Sequence, residues 1–388
     1  MNKDGKKKML IAITTYTSGD AQSTRVDDIA TSISDEFEVI VLTSFADQNR
    51  LHQNFPKIIV IKSYFLSFLS IRVRELFKSS DLVIVETGLP YAFCSFLFKS
   101  NFVWILYGPD KGIHFSGSYF IKNKLNTFLE RNFILRSAKF LITPAEWVSK
   151  FYRAKGMNVE TVPAAINQNI FYPKMERSVN IDNLKLITLG YWDGYHGRKR
   201  QHELLYIFPE VVKSFPTIHL TLAGLDSSNI IILKQLVESL SLTKNVELIG
   251  HLNSADVANI MNASNIYVSN TISDAFYRII VEAFACGLPA IARDASGLIP
   301  EYHLAPKHHI INSKAGVLYD GSSESFLRAL NAVLDNYEQF KDNAQKYASQ
   351  FTSENVLKQY RKIILPISKN ILKKQHSSFN EQVENLNE

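Results

Sequence analysis

"DNLKLITLG", residues 182–190, decides the architecture. It is a short apolar, Leu/Ile-rich run that closes on a glycine, and a helical period follows it from about Lys199 to Ser214. That succession is how the first strand of a parallel α/β unit reads. The chain has already used it once. "MLIAIT" (9–14) is followed by a helical period over 24–34.

Working outward, the first half adds strand-like runs at "EVIVLT" (38–43), "KIIVIK" (57–62), "DLVIVE" (81–86), "FVWILY" (102–107) and "KFLIT" (139–143). The second half adds "TIHLTLAG" (217–224), "NVELIG" (245–250), "NIYVSN" (265–270) and "LPAIAR" (288–293). These runs are continuously apolar rather than alternating, as strands are when helices cover both faces of a parallel sheet. Between the halves, "PAAINQNIFYPKMERSVNID" (163–182) has two prolines and no helical period, and reads as an extended linker. Two such units joined in this way predict an α/β protein of two Rossmann-like, doubly wound parallel-sheet domains facing a cleft. The expected boundaries are 1–172 and 173–372, with a polar tail at 373–388.

Length and composition agree with two globular domains. The chain has 388 residues, more than one hydrophobic core usually serves, with 46% hydrophobic and 21% charged residues. A net charge of +6 suits an anionic partner. The two cysteines, Cys94 and Cys286, lie in apolar stretches, which argues against a disulfide framework and for a cytoplasmic setting. No window reaches the roughly 20 apolar residues of a membrane-spanning helix. The apolar run at the start, Met9 to Ile13, is too short for a signal-peptide core and reads as the first strand.

In a doubly wound sheet, ligands sit where strands end and helices begin. "SDAFYRIIVEAFACGLPAIARDASG" (273–297) is such a place. Gly287 and Pro289 stop a helix expected over 277–286, and the N–H groups of Phe276, Tyr277, Arg278 and Ile279 at its start form an anion site. Asp274 lies just ahead of it and Glu282 one turn inside an apolar helix. Hydroxyl donors of a bound ribose and sugar make such carboxylates tolerable; so do a helix cap at Asp274 and an arginine or backbone N–H at Glu282. From the residues alone the two readings stand level.

A resemblance separates them. Asp274, Phe276, Glu282, Ala283, Ala285, Gly287, Pro289 and Ala290 resemble the "E-G-F-G-x-x-x-x-E-A-x-A-x-G-x-P-V" signature of family 4 glycosyltransferases, also described as glycosyl transferases group 1. "VETVPAAINQNIFYP" resembles that family's interdomain segment, and "GVLYDGSSESFLRALNAVLDN" its closing strand and helix. The resemblance implies the GT-B fold, with a last helix (about 354–372) returning to the N-terminal domain. It also implies retaining, metal-independent transfer of a sugar from a nucleotide-sugar donor. Glu282 would then hold the donor ribose, Asp274 the donor sugar, and the N–H groups of 276–279 the phosphates. Asp274 stands where the signature has Glu, and Ala275 and Tyr277 stand where it has glycines.

Other candidates cluster at strand ends. In "GYWDGYHGRKR" (190–200), Lys199 falls at the family's lysine, Tyr191 replaces its arginine after Gly190, and Arg198 can restore that charge. Fixed cations there would neutralise a leaving diphosphate. Gly19 follows the first strand in the position of the family's glycine loop. Tyr107, Asp110 and His114 follow "FVWILY" on the acceptor or sugar side. No acidic or His/Cys spacing calls for a metal, and no cofactor beyond the nucleotide-sugar substrate is expected. "YFLSFLSIRVRELFK" (64–78) and "YFIKNKLNTFLERNFILRSAKF" (119–140) mix aromatic, aliphatic and basic residues. Such stretches either pack an apolar face inside or lie on an anionic membrane. No nucleic-acid motif accompanies the positive charge.

The expected function is therefore a retaining glycosyltransferase acting on a glycan or lipid-linked acceptor, cytoplasmic or peripheral on the inner face of the cell membrane. A nucleotide-sugar epimerase of the same fold and a non-catalytic nucleotide-binding regulator are the rivals.

Overall fold

Seven parallel strands make the first sheet: β1 (Lys7–Ile13), β2 (Phe37–Thr43), β3 (Lys57–Val60), β4 (Leu82–Glu86), β5 (Phe102–Ile105), β6 (Phe140–Thr143) and β7 (Val159–Thr161). Their spatial order is β3-β2-β1-β4-β5-β6-β7. Six parallel strands make the second: β8 (Lys185–Leu189), β9 (His219–Leu225), β10 (Val246–Gly250), β11 (Ile266–Ser269), β12 (Ala290–Arg293) and β13 (Gly316–Tyr319), in the order β10-β9-β8-β11-β12-β13. Both follow the doubly wound plan in which the winding reverses beside the first strand. The structure, a computed structural model, describes residues 6–17, 21–52, 55–61, 69–86, 89–107, 133–174 and 179–384.

The chain divides into two compact units, residues 1–164 with 354–388, and residues 165–353. In the first, α1 (Ala21–Ile33), α2 (Ile71–Lys78), α3 (Leu89–Leu97) and α4 (Glu146–Arg153) alternate with the strands. In the second, α5 (Gln201–Ser214), α6 (Ser227–Ser239), α7 (Ser254–Ala263), α8 (Arg278–Ala285), α9 (Ala305–Ser313), α10 (Ser323–Asp335) and α11 (Tyr337–Ala348) do the same.

Central strands read as unbroken apolar runs because no side chain on them reaches water. Met9 to Ile13 are all fully buried. In the second unit Leu186, Leu222, Val268 and Ile291 from the sheet meet Phe208 and Phe326 from α5 and α10 in one core. Each such side chain taken fully from water contributes about 1.5–3 kcal/mol. Local signals set the ends. Ser70 caps α2, Asn253 caps α7 and Ser322 caps α10, each side chain accepting a backbone N–H three residues on.

The final helix, α12 (Ser353–Glu384), belongs to the first unit. Its Arg361 makes a two-pronged pair with Asp35, at 2.6 and 2.7 Å, and its Tyr360 is fully buried. The stretch from 373 that composition assigns to a tail is helical as far as Glu384, a correction to the sequence reading. Among the described residues no helix is long and apolar enough to cross a membrane.

Candidate functional site

The second sheet's winding reverses between β8 and β11, and two loops meet there. The loop after β8 is wound around one carboxylate. Asp193 accepts the backbone N–H groups of Arg198 (2.8 Å) and Lys199 (3.1 Å), presenting both cations from a fixed turn. Gly197 is required for this closure, since a Cβ there would lie 2.0 Å from Asp193 Oδ1. The turn ends with Arg200 in the left-handed region (φ 50°). For that reason α5 starts at Gln201 and not at Lys199, where periodicity alone puts it. Asn270, at the end of β11, donates from Nδ2 to the Arg200 carbonyl at 2.5 Å, and the Tyr319 hydroxyl donates to Asn270 Oδ1. Gln201 donates to the Gly190 carbonyl at 2.9 Å. The basic turn is thus tied to the ends of three strands.

The loop after β11 supplies the counter-charge. Asp274 Oδ2 accepts Arg198 Nη1 at 2.6 Å and lies 3.9 Å from Lys199 Nζ. Its Oδ1 accepts the N–H groups of Phe276 (3.2 Å) and Tyr277 (3.0 Å). Burial alone would push this carboxyl up, but Lys199, Arg198 and the Tyr277 N–H outweigh it and hold Asp274 below the usual carboxylate range. Two of the four helix-start N–H groups expected to face a phosphate are therefore taken by Asp274, which corrects the expected anion site. Arg278 and Ile279 contribute the leading N–H groups of α8 itself.

Glu282 sits on the buried side of α8, 5% exposed, and its partner is Arg278 one turn back, with Nε 2.9 Å from Oε1. Burial raises the Glu282 pKa and Arg278 opposes that rise. Glu282 thus makes the arginine contact of the plainer sequence reading, whereas Asp274 closes a turn ahead of α8, whose N-cap Tyr277 has no side-chain cap. Neither contact competes with a ligand role, because a diphosphate can draw the arginines while donor hydroxyls take over the carboxylates.

Tyr277 is unusual. It precedes α8 in the left-handed region (φ 58°), which costs a side-chain-bearing residue of order 1–3 kcal/mol. Its buried hydroxyl meets Tyr267 (2.7 Å), Ser269 (3.0 Å) and Thr271 (3.1 Å), and its ring lies 4.6 Å from Lys199 Nζ. Next to it, Phe276 packs edge-on against His309, whose Nε2 hydrogen-bonds the Phe276 carbonyl while Nδ1 meets the Tyr347 hydroxyl at 3.0 Å. This arrangement puts the proton on Nε2. Burial is the chief cause that lowers the His309 pKa to about 4, so the ring is neutral near pH 7.

The arrangement sets Arg198 and Lys199 between Asp193 and Asp274, just ahead of a helix start. Residues 177–351 match a known family, described as Glycosyl transferases group 1. Over that stretch the chain is similar to the group 1 glycosyltransferases. Over 224 residues the chain is 26% identical to one of the subunits of the phosphatidylinositol N-acetylglucosaminyltransferase of Homo sapiens. That match covers 55% of this chain and 44% of the human protein, so the chain spans less than half of that relative's length. It is also 23% identical over 302 residues to an uncharacterized glycosyltransferase of Haemophilus influenzae, covering 76% of this chain and 79% of that one. Among solved structures, Anabaena HepE in complex with UDP and glucose superposes with a TM-score of 0.70 at 19% identity, covering 91% of this chain and 98% of that one. WaaG, a glycosyltransferase involved in lipopolysaccharide biosynthesis, does so with 0.67 at 16% identity, covering 92% and 99%. The two parallel-sheet domains are those of the GT-B fold.

Within the second unit the structure gathers Gly190, Arg198, Lys199, Asp274, Phe276, Tyr277, Arg278, Ile279 and Glu282 around one switch point. Gly190 itself adopts φ 134°, and a Cβ there would stand 3.5 Å from Lys199 Cε. Tyr107 belongs to the first unit, where its hydroxyl donates to the buried Glu86 at 2.6 Å. Gly19, Asp110 and His114 lie outside the described residues. Sequence reasoning missed Asp193, Asn270, His309 and Tyr319. Only Asp193 carried a local signal, the Asp-Gly pair in "WDGYHG" that marks a tight turn.

Proposed function

We propose that this protein transfers a sugar from a nucleoside diphosphate donor to a hydroxyl of a glycan or lipid-linked acceptor, with retention at the anomeric carbon and without a metal ion. The observation that carries the reading is the fixed presentation of Lys199 and Arg198 beside Asp274 at a helix start. When the sugar C1–O bond breaks, the departing diphosphate gains charge, and preorganised cations stabilise that charge without reorganising. Glu282 is the partner for the donor ribose and Asp274 for the sugar. Retention and independence from metal follow the family resemblance of residues 274–290.

UDP is the favoured nucleotide because Anabaena HepE was solved with UDP and glucose. A lipid-linked acceptor is favoured by the human relative, whose name specifies phosphatidylinositol. The test is calorimetry and thermal shift with UDP, GDP and ADP and their sugars, since a tight ligand raises apparent stability by mass action. UDP should bind, and Glu282→Gln should weaken it without unfolding the protein. Failure of all three nucleotides to bind sinks the reading. Unchanged UDP affinity in Glu282→Gln reduces Glu282 to a structural partner of Arg278. Anomeric coupling constants of the product decide retention, and EDTA should leave turnover intact.

A further inference from the structure

We infer that Tyr277 is a positioning residue that holds the Lys199 ammonium through its ring face and so keeps the lysine's N–H donors available for an anion; this rests on the role for Lys199 proposed above.

The Lys199 side chain is 9% exposed, and a buried ammonium needs compensation. Among the described residues no acceptor takes a hydrogen bond from Nζ. Asp274 Oδ2 stands at 3.9 Å, beyond hydrogen-bond reach, and Arg198 already occupies that oxygen at 2.6 Å. What lies against Nζ is the Tyr277 ring, 4.6 Å to its centroid. A ring face attracts a cation by its quadrupole without consuming a donor. An oxygen in the same place would hold the lysine equally well and spend the hydrogen bonds that a diphosphate needs.

Three further contacts fix the ring for that purpose. The Tyr277 hydroxyl is anchored in the buried cluster with Tyr267, Ser269 and Thr271. Its backbone N–H is anchored on Asp274 Oδ1 at 3.0 Å. Its backbone is held in the left-handed region, which other residues adopt only when the surroundings insist. The lysine stem also lies over Gly190, where a Cβ would make ordinary contact with Cε at 3.5 Å. Lys199 is thus confined by a glycine and a ring, paired at a distance with Asp274 but with its N–H donors unspent.

The test is turnover and donor KM for Tyr277→Phe, Tyr277→Leu and a series with 3,5-difluoro- and 3,4,5-trifluorophenylalanine at 277, each in the otherwise native chain. Fluorination drains the ring quadrupole while nearly preserving shape, so the series folds even if the leucine variant does not. Tyr277→Phe, which keeps the ring face and loses the hydroxyl anchor, should lower kcat less than Tyr277→Leu does and is the reference for the fluorinated rings. The fluorinated rings should lower kcat stepwise, reaching about tenfold, with little change in KM, because the lost interaction is with the ammonium that meets transition-state charge. In a Lys199→Ala background the same series should be flat. A flat series in the Lys199 chain overturns the inference, as does an equal decline in the Lys199→Ala background. If Lys199→Ala itself retains full turnover, the proposed role of Lys199 has failed instead, and the two failures are told apart.

Discussion

The two units share a strand order and differ in what they place where the winding reverses. In the first, Glu86 ends β4 fully buried, takes the Tyr107 hydroxyl at 2.6 Å, and has the buried Arg25 as a charged neighbour. Arg25 lies against the Tyr107 ring at 5.0 Å, with the α12 residue Tyr360 also beside it. Cation and carboxylate offset each other away from water. In the second unit, Arg198 and Lys199 lie between two carboxylates, Asp193 and Asp274, and the side chains of Arg198 and Asp274 are 39% and 21% exposed. The same topology therefore yields a buried ionic pair in one unit and partly exposed ions in the other. Fold locates the place for a ligand, and local charge balance decides whether one is invited.

If that contrast is right, removing charge in the second unit should cost function and removing it in the first should cost stability. The largest effect is expected for Lys199→Ala. Loss of one fixed donor to a developing anion typically lowers kcat by about 100- to 1,000-fold. Steady-state turnover at saturating donor is the measurement, and a loss within threefold would remove Lys199 from the chemistry. Thermal stability should barely move, since the ammonium has no hydrogen-bonded protein partner to leave behind.

Glu86→Gln should do the reverse. It leaves the buried Arg25 with Asp28 as its remaining carboxylate neighbour, and breaking a buried ionic arrangement from one side costs roughly 3 kcal/mol. Urea unfolding should show that loss while UDP affinity stays unchanged. Weakened nucleotide binding with intact stability would break the comparison.

Sequence reading reached the two sheets and the switch-point loops, because strand runs and glycine stops are local signals. It did not reach His309 or Asn270. Their roles depend on the Phe276 carbonyl and the Arg200 carbonyl, which come close only after α9 and β11 have packed. It left open whether Asp274 caps the helix or meets a ligand, since a carboxylate ahead of a helix start is legible as either; its contacts instead close the turn before α8.

His309 gives a smaller and cleaner test. Its folded-state pKa of about 4 lies below the ordinary value of 6.5 for histidine, with burial the cause and Asp274 and His308 its charged neighbours. Between those values the unfolded chain binds a proton that the folded chain does not. Stability should therefore fall as pH drops from 6.5 towards 4, by at most about 1.4 kcal/mol per pH unit, and level off below. The difference in unfolding free energy between the native chain and His309→Gln, measured across that window, isolates the effect. Parallel curves would show that the ring is not held neutral.

The smallest expected effect concerns the first unit's surface. Residues 64–68 and 119–132 of the basic amphipathic stretches lie outside the described residues, but α2 shows how one stretch divides its sides. Val73, Leu76 and Phe77 are buried, as in an ordinary packed helix. Ile71, at 75% exposure, and Leu69, at 67%, remain in water beside the exposed Arg72, Arg74 and Lys78. We therefore expect weak attraction to anionic lipid through this end of α2, each basic group near the surface adding about 1 kcal/mol at modest salt. Arg72→Glu with Arg74→Glu should reduce pelleting with vesicles containing anionic lipid, and raised salt should reduce it further by screening. Neither change should lower thermal stability, because both side chains are exposed. If the native chain ignores anionic vesicles even at low salt, Leu69 and Ile71 are simply surface residues. The first unit then owes nothing to a membrane, and a soluble acceptor becomes the better reading of its partner.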